Sequence, residues 1–283
     1  MDSPRPPPVG FTADIGFETA WPYPSWIAHR GAGHLAPENT LAAFQMGFDY
    51  GFRMIEFDVQ LTADQIPILM HDAMLDRTTD GHGPVYAVTA GQLAQLDAGR
   101  WHSPTFEGET VPTLADAAHW MQAHGVMANL EIKPAKGLEV ATGTAAAALA
   151  AELWQGQIPP LLSSFSIKAL EAAKAVAPEL PRALLADVAR WAELVPTDRP
   201  FEAIVQKALE LSAVAIVIQH AGLNADRIAQ AHGAGLRVLT YTLNDAARAK
   251  ALLAVGLDGV ITDAVDSLGP ASAKSENPVK SAK

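Results

Sequence analysis

His29 and Arg30 end an apolar run and are followed by two glycines, in the order IAHRGAG. These residues fill a core badly but suit the rim of an anion pocket. An imidazole exchanges protons near neutral pH, and a guanidinium offers a planar fork to phosphate oxygens. His71, at the end of IPILMH, supplies a second imidazole, so one acid and one base are at hand. The other histidines read as ordinary structural or surface residues.

Carboxylates supply the rest. In MIEFDVQ the alternation of a strand puts Glu56 and Asp58 on one face, and in ANLEIKP it puts Glu131 and Lys133 on one face. Three buried carboxylates without compensation would cost several kcal/mol, on the order of 2–7 per unpaired polar group, and their mutual repulsion would keep at least one protonated. A divalent cation resolves the conflict. Oxygen-only ligands suit a hard ion, so Mg²⁺ is expected, with Ca²⁺ and Mn²⁺ as alternatives. The competing reading is a structural ion-pair network with Arg30, Arg53 or Lys133.

These side chains need a scaffold that brings several strand ends to one place. Short β-type runs at Trp26–His29, Met54–Val59, Met127–Ile132, Leu161–Ser164, Arg182–Ala186, Val214–Ile218, Leu236–Thr242 and Gly259–Thr262 alternate with helical segments, clearest at Asn39–Tyr50, Thr113–His124, Leu138–Trp154, Ile167–Ala177, Asp226–Ala234 and Asp245–Ala254. The stretch after Ala186 is ambiguous. Eight such units in roughly 240 residues predict an α/β fold, a TIM (β/α)8 barrel, whose sites lie at the C-terminal strand ends. A doubly wound sheet is the alternative, but no GxGxxG follows the first strand. The Gly- and Pro-punctuated stretch at about 72–112 breaks the rhythm and reads as an inserted cap segment after the second strand. Residues 1–20 read as a flexible arm, 21–268 as the barrel domain and 269–283 as a disordered tail.

Composition narrows the function classes. With 283 residues and 49% hydrophobic content, the chain can bury a large core. A formal net charge of -11 argues against a nucleic-acid partner, whose phosphates need Lys and Arg. Cysteine is absent, which removes disulfides, thiol nucleophiles and cysteine-ligated zinc. The first twenty residues hold no apolar h-region and no stretch is long enough to span a bilayer, so a cytoplasmic protein without membrane insertion is expected. Oligomeric state has no signature here.

Five ordered motifs carry a family resemblance. IAHRGAGHLAPENTLAAF, IEFDVQLTADQIPILMHD, LDRTTDGHG, NLEIKP and YTLN resemble the glycerophosphodiester phosphodiesterase family from about Trp21 to Asp263, and Trp21-Pro22-Tyr23-Pro24 is similar to the opening of its short cytosolic bacterial members. The resemblance implies hydrolysis of a small glycerophosphodiester to sn-glycerol 3-phosphate and an alcohol. It implies metal ligation by Glu56, Asp58 and Glu131, acid and base roles for His29 and His71, phosphate contacts from Arg30 and Lys133, a pocket-lining Tyr241, and a cap beside the barrel mouth. The sequence departs from the family pattern at Ala32, where a third glycine is common, and at Thr242-Leu243-Asn244. Two rivals stand beside this expectation: a phospholipase D-like enzyme acting on intact lipids, and a non-catalytic phosphoester-binding barrel.

Overall fold

The computed structural model describes residues 21–195 and 197–270. The arm expected at 1–20 and nearly all of the tail expected at 269–283 lie outside the described residues.

The strands are β1 (Trp26–Ala28), β2 (Met54–Leu61), β3 (Pro67–Leu69), β4 (Met127–Ile132), β5 (Leu161–Ser164), β6 (Arg182–Ala186), β7 (Ala215–Gln219), β8 (Arg237–Tyr241) and β9 (Gly259–Thr262). All but β3 pair in parallel, and β1 bonds both β2 and β9, which closes an eight-stranded barrel. The expected TIM barrel is therefore found. The helices are α1 (Leu41–Asp49), α2 (Ala90–Leu93), α3 (Leu114–His124), α4 (Glu139–Leu153), α5 (Ile167–Val176), α6 (Val188–Leu194), α7 (Pro200–Glu210), α8 (Ala225–Gly233) and α9 (Ala246–Ala254). Helices α6 and α7 occupy the stretch that the sequence pattern leaves ambiguous.

Helix starts follow local chemistry. Thr40, Thr113, Ser166, Asp187, Asn224 and Asp245 each accept a first-turn backbone N–H with the side chain. Each such cap stabilises its helix by about 1 kcal/mol and fixes where the chain leaves the preceding strand loop.

The core has two layers and a polar summit. Between strands and helices, two large apolar clusters wrap the barrel, one around Phe44, Phe57 and Met121 and the other around Ile204, Ile216 and Val238. Inside the barrel, Ile27, Met54, Leu161, Leu239 and Ile261 form a third cluster, closed at one end by Tyr23, whose hydroxyl donates to Pro159 O at 2.9 Å. Fully burying side chains of this size contributes roughly 1.5–3 kcal/mol each. Because side chains alternate, the inward face of β2 runs Met54, Glu56, Asp58. The interior thus changes from apolar to charged along the strand direction, and stability is concentrated below the site.

Between β2 and α3 the chain builds a satellite. Strand β3 turns back antiparallel on β2, pairing Val59 with Leu69, and Met70 N donates to Asp58 O at 3.0 Å. This return carries His71 back to the end of the barrel it would otherwise have left. A small core of Ile68, Leu75, Val85 and Leu93 stabilises the segment.

Candidate active site

Strand register assembles the carboxylates. Asp58 stands opposite Glu131 across the β2–β4 pair, and Ala28 opposite Ile55 sets His29 beside Glu56. Ligand oxygens of Glu56, Asp58 and Glu131 all lie within 4.8 Å of one another, and all three residues are buried. Desolvation, with the negative charges of Asp58 and Glu131, pushes the Glu56 carboxyl well above its ordinary value. Desolvation and Asp58 push Glu131 up to about 7. Burial acts in the same direction on Asp58, but Lys133, Arg30, His71 and a hydrogen bond from Asn39 outweigh it and bring that carboxyl down to about 2. Carboxylates that oppose each other's ionisation while staying buried fit a hard divalent cation, since a fixed positive charge removes the penalty on all three. Beside them the Asn129 side-chain amide nitrogen is buried without a hydrogen-bond partner, while its oxygen accepts from Ser163 Oγ at 2.9 Å.

Cations flank the cluster. Arg30 Nε lies 3.4 Å from Asp58 Oδ2, Lys133 Nζ lies 3.1 Å from Asp58 Oδ1, and Lys133 Nζ lies 3.6 Å from Glu131 Oε1. The ion pairs considered from sequence as a competing reading therefore exist for Arg30 and Lys133. Arg53 instead donates to Phe48 O and Phe52 O. Two cations cannot neutralise three carboxylates, and Glu56 and Glu131 keep their raised values with both in place.

Each histidine of the site is anchored through the same ring atom. His29 Nδ1 bonds Asp263 Oδ1 at 2.5 Å, and its Nε2 lies 3.8 Å from Glu56 Oε2. His71 Nδ1 bonds Asp72 Oδ1 at 2.6 Å. A carboxylate at Nδ1 holds the proton there and leaves Nε2 as the exchanging nitrogen. Burial lowers the pKa of His71, assisted by Arg30 and Lys133 and opposed by Asp58.

The loop after β1 is built around these contacts. Arg30 has φ 51°, and its backbone N–H donates to Glu56 Oε2 at 3.1 Å. Gly33 has φ +57°, and a Cβ there would lie 2.1 Å from Asp263 O. Gly31, at φ +101°, would bring a Cβ within 2.6 Å of Ala43 Cβ. The glycines of IAHRGAG thus let the loop pack on α1 and on the Asp263 segment.

Further side chains hold the ligands and rings in place. Asn39 holds Asp58 twice, from Nδ2 to Oδ2 at 2.9 Å and through Oδ1, which accepts from Asp58 N at 3.0 Å. Arg77 donates to both Glu38 and Asp72, while Glu38 also accepts from Arg30 at 2.9 Å. Gln60 Nε2 donates to the carbonyls of Met70, His71 and Asp72. Asn244 Nδ2 donates to Asp263 Oδ2 at 3.1 Å. The motifs PENT, MHD and LDRTT contain several of these residues, yet only the fold reveals their partners.

All eight residues singled out from sequence converge on this end of the barrel. His29, Glu56, Glu131 and Tyr241 line one pocket with Asn129 and Ser163. Asp58, Arg30 and Lys133 join it through ion pairs, and His71 is close enough for its charge to act on Asp58. Tyr241 meets Phe165 edge to face at 5.6 Å.

Comparison with known proteins agrees with this geometry. Residues 29–267 match the model of the glycerophosphoryl diester phosphodiesterase family. The chain belongs to that family. A Bacillus subtilis (strain 168) glycerophosphodiester phosphodiesterase is 30% identical over 256 residues, covering 85% of this chain and 83% of its own. The B. subtilis protein YhdW, provisionally named for the same activity, is 34% identical over 242 residues, covering 85% and 94%. Among solved structures, an Oleispira antarctica phosphodiesterase in complex with the product sn-glycerol-3-phosphate superposes with a TM-score of 0.78 at 33% identity, over 90% of this chain and 98% of that one. Family membership and the barrel fold are thus as the motifs imply. Among the described residues no helix is long and apolar enough to cross a membrane.

Proposed function

We propose that this protein is a divalent-metal-dependent glycerophosphodiester phosphodiesterase, cleaving a small glycerophosphodiester to sn-glycerol 3-phosphate and an alcohol. The observation that carries the proposal is the position of Glu56, Asp58 and Glu131, within 4.8 Å of one another and flanked by two carboxylate-anchored histidines, Arg30 and Lys133. Family membership supplies the substrate class, and the product bound in the Oleispira relative supports it.

Glu56, Asp58 and Glu131 would hold the ion, with Mg²⁺ expected from the all-oxygen set. When bound, it would supply Lewis-acid polarisation of a phosphoryl oxygen. Arg30 and Lys133 bind the substrate phosphate and balance charge that develops on it in the transition state. His29 and His71 exchange protons through Nε2, one accepting from the nucleophile and the other delivering to the leaving oxygen. Asp263 and Asp72 orient the two rings. Water and the substrate's own neighbouring hydroxyl are both compatible nucleophiles. Tyr241 forms a wall of the substrate pocket, and the cap between β3 and α3 supports His71.

Turnover of a panel of water-soluble glycerophosphodiesters by chelated enzyme, with single divalent cations added back, tests the proposal. Activity lost on chelation and restored by Mg²⁺ is expected. Full activity in metal-free buffer would sink the metal assignment, and no turnover with any cation would sink the substrate class.

A further inference from the structure

Beside the charged mouth lies a pocket that the mechanism does not use. It has a volume of about 560 Å³ and runs between α6, α7 and the end of β6, walled by Phe165, Ile167, Leu185, Trp191, Leu194 and Val195. That volume falls within the roughly 300–1,000 Å³ of small-molecule sites, which are likewise mostly apolar with a few polar groups. Here the polar ones are Asp187, Arg190, Gln206, Lys207 and Glu210, set around the apolar wall. Phe165 is 47% exposed and Leu194 70% exposed, so large apolar side chains face solvent at this place.

Two contacts set the pocket directly beside the active site, across a shared wall. Leu185 lines both this pocket and the one containing His29, Glu56 and Glu131. Phe165, in the apolar wall, meets Tyr241, in the polar one, edge to face at 5.6 Å. A phosphodiester seated on the charged cluster therefore has one arm among carboxylates, amides and cations and the other within reach of a greasy recess. The hydroxyl-rich glycerol arm matches the polar side, where its oxygens find partners. Against the apolar wall of Phe165, Leu185 and Leu194 its hydroxyls would instead lose hydrogen bonds.

We propose that this pocket binds an apolar group on the leaving alcohol, so that the preferred substrates are glycerophosphodiesters whose second ester carries an alkyl or aryl chain. This deepens the phosphodiesterase reading above and rests on it. Hydrolysis adds water across the P–O bond to the leaving alcohol: that bond breaks, the phosphate keeps glycerol, and the alcohol oxygen takes up the proton.

The test uses the full chain with Mg²⁺ and two synthetic substrates, the ethyl and octyl esters of sn-glycerol 3-phosphate, kept below micelle formation. The octyl ester is expected to show at least about ten-fold higher kcat/KM, since burial of each added methylene favours the bound state. Calorimetric Kd values for the same pair should differ in the same direction and read the pocket with or without turnover. Leu194→Glu, at an exposed position, and Ala203→Phe, at a small residue that also lines the recess, should each abolish the octyl preference while ethyl-ester hydrolysis stays unchanged. Equal kcat/KM and equal Kd for both esters would overturn the inference while leaving the phosphodiesterase reading intact. Absence of hydrolysis of either ester, with octyl binding still favoured, would overturn that reading and leave the pocket standing. A gain seen only when an octanoyl chain is placed on the glycerol arm would overturn the assignment to the leaving alcohol.

Discussion

His29 and Asp263, 234 positions apart in sequence, meet at 2.5 Å through Nδ1 and Oδ1 because closure of the barrel pairs β1 with β9. Asn244 braces the aspartate from the other side, and Gly33 lets the loop approach it closely. Asp263 is thereby held down at about 2: burial works against ionisation, but the hydrogen bond and positive charge of His29 outweigh it. A carboxylate that stays ionised at this place fixes the tautomer and plane of the ring it faces.

Asp263→Asn should lower kcat by roughly 10²-fold with little change in KM, in the range of impaired acid–base catalysis. The same substitution in a His29→Ala background should cost nothing further. An added loss in that background would show that Asp263 acts on stability or binding rather than through His29.

Arg77 ties the cap to the loop that precedes α1, pairing with Glu38 and Asp72. Both partners lead inward, Glu38 to Arg30 and Asp72 to His71. Arg77→Met should reduce kcat/KM by about ten-fold while leaving the melting temperature within a few degrees, because exposed ion pairs contribute only about 0–1 kcal/mol to folding. Wild-type kinetics in this variant would remove Arg77 from the positioning network.

The eight barrel strands were legible because each is a short apolar run bounded by turn residues, and the acidic cluster was legible because alternation alone puts Glu56 with Asp58 and Glu131 with Lys133 on shared faces. His71 was legible as a histidine but not its route to the site, which depends on the antiparallel return of β3. Asp263 and Arg77 were not legible as partners, since Asp263 meets His29 234 positions away and Arg77 meets Glu38 39 positions away. Helices α6 and α7 escaped because α6 is seven residues long and α7 starts from Arg199, which makes no side-chain cap hydrogen bond. The apolar recess between them followed into the same blind spot.

Acid should stabilise the metal-free protein across a defined window. Burial and the charge of Asp58 hold the Glu131 carboxyl up at about 7 in the fold, against an ordinary 4.5. Between those values the folded state holds a proton that the unfolded chain has released, so stability falls as pH rises. Glu56 acts in the same sense. Asp58, at about 2 against 3.8, adds stability that is lost only as pH falls through that lower range. His71, held below 6.5 by burial, opposes the trend near its own titration. Thermal melts of chelated protein from about pH 7.5 to 5 should show a gain on acidification that is smaller in Glu131→Gln. With saturating Mg²⁺ the slope should reverse, since the ion needs ionised carboxylates. Identical pH dependence in wild type and Glu131→Gln would contradict the buried, raised carboxyl.

Intact phospholipid should be a poor substrate. The mouth between Glu131, Lys133 and Arg30 is charged, and two acyl chains on the glycerol arm would have to sit among these groups. Release of choline from phosphatidylcholine vesicles at a rate comparable to that from sn-glycero-3-phosphocholine would favour a phospholipase D-like enzyme instead.

The most direct test of the two-histidine site is kcat for sn-glycero-3-phosphocholine in Mg²⁺-saturated wild type, His29→Ala, His71→Ala and the double variant. Each single substitution should lower kcat by roughly 10²-fold or more while KM changes far less, and the double variant should be little worse than the poorer single one, because groups acting on one bond are not additive. Near-wild-type kcat in either single variant would contradict the account.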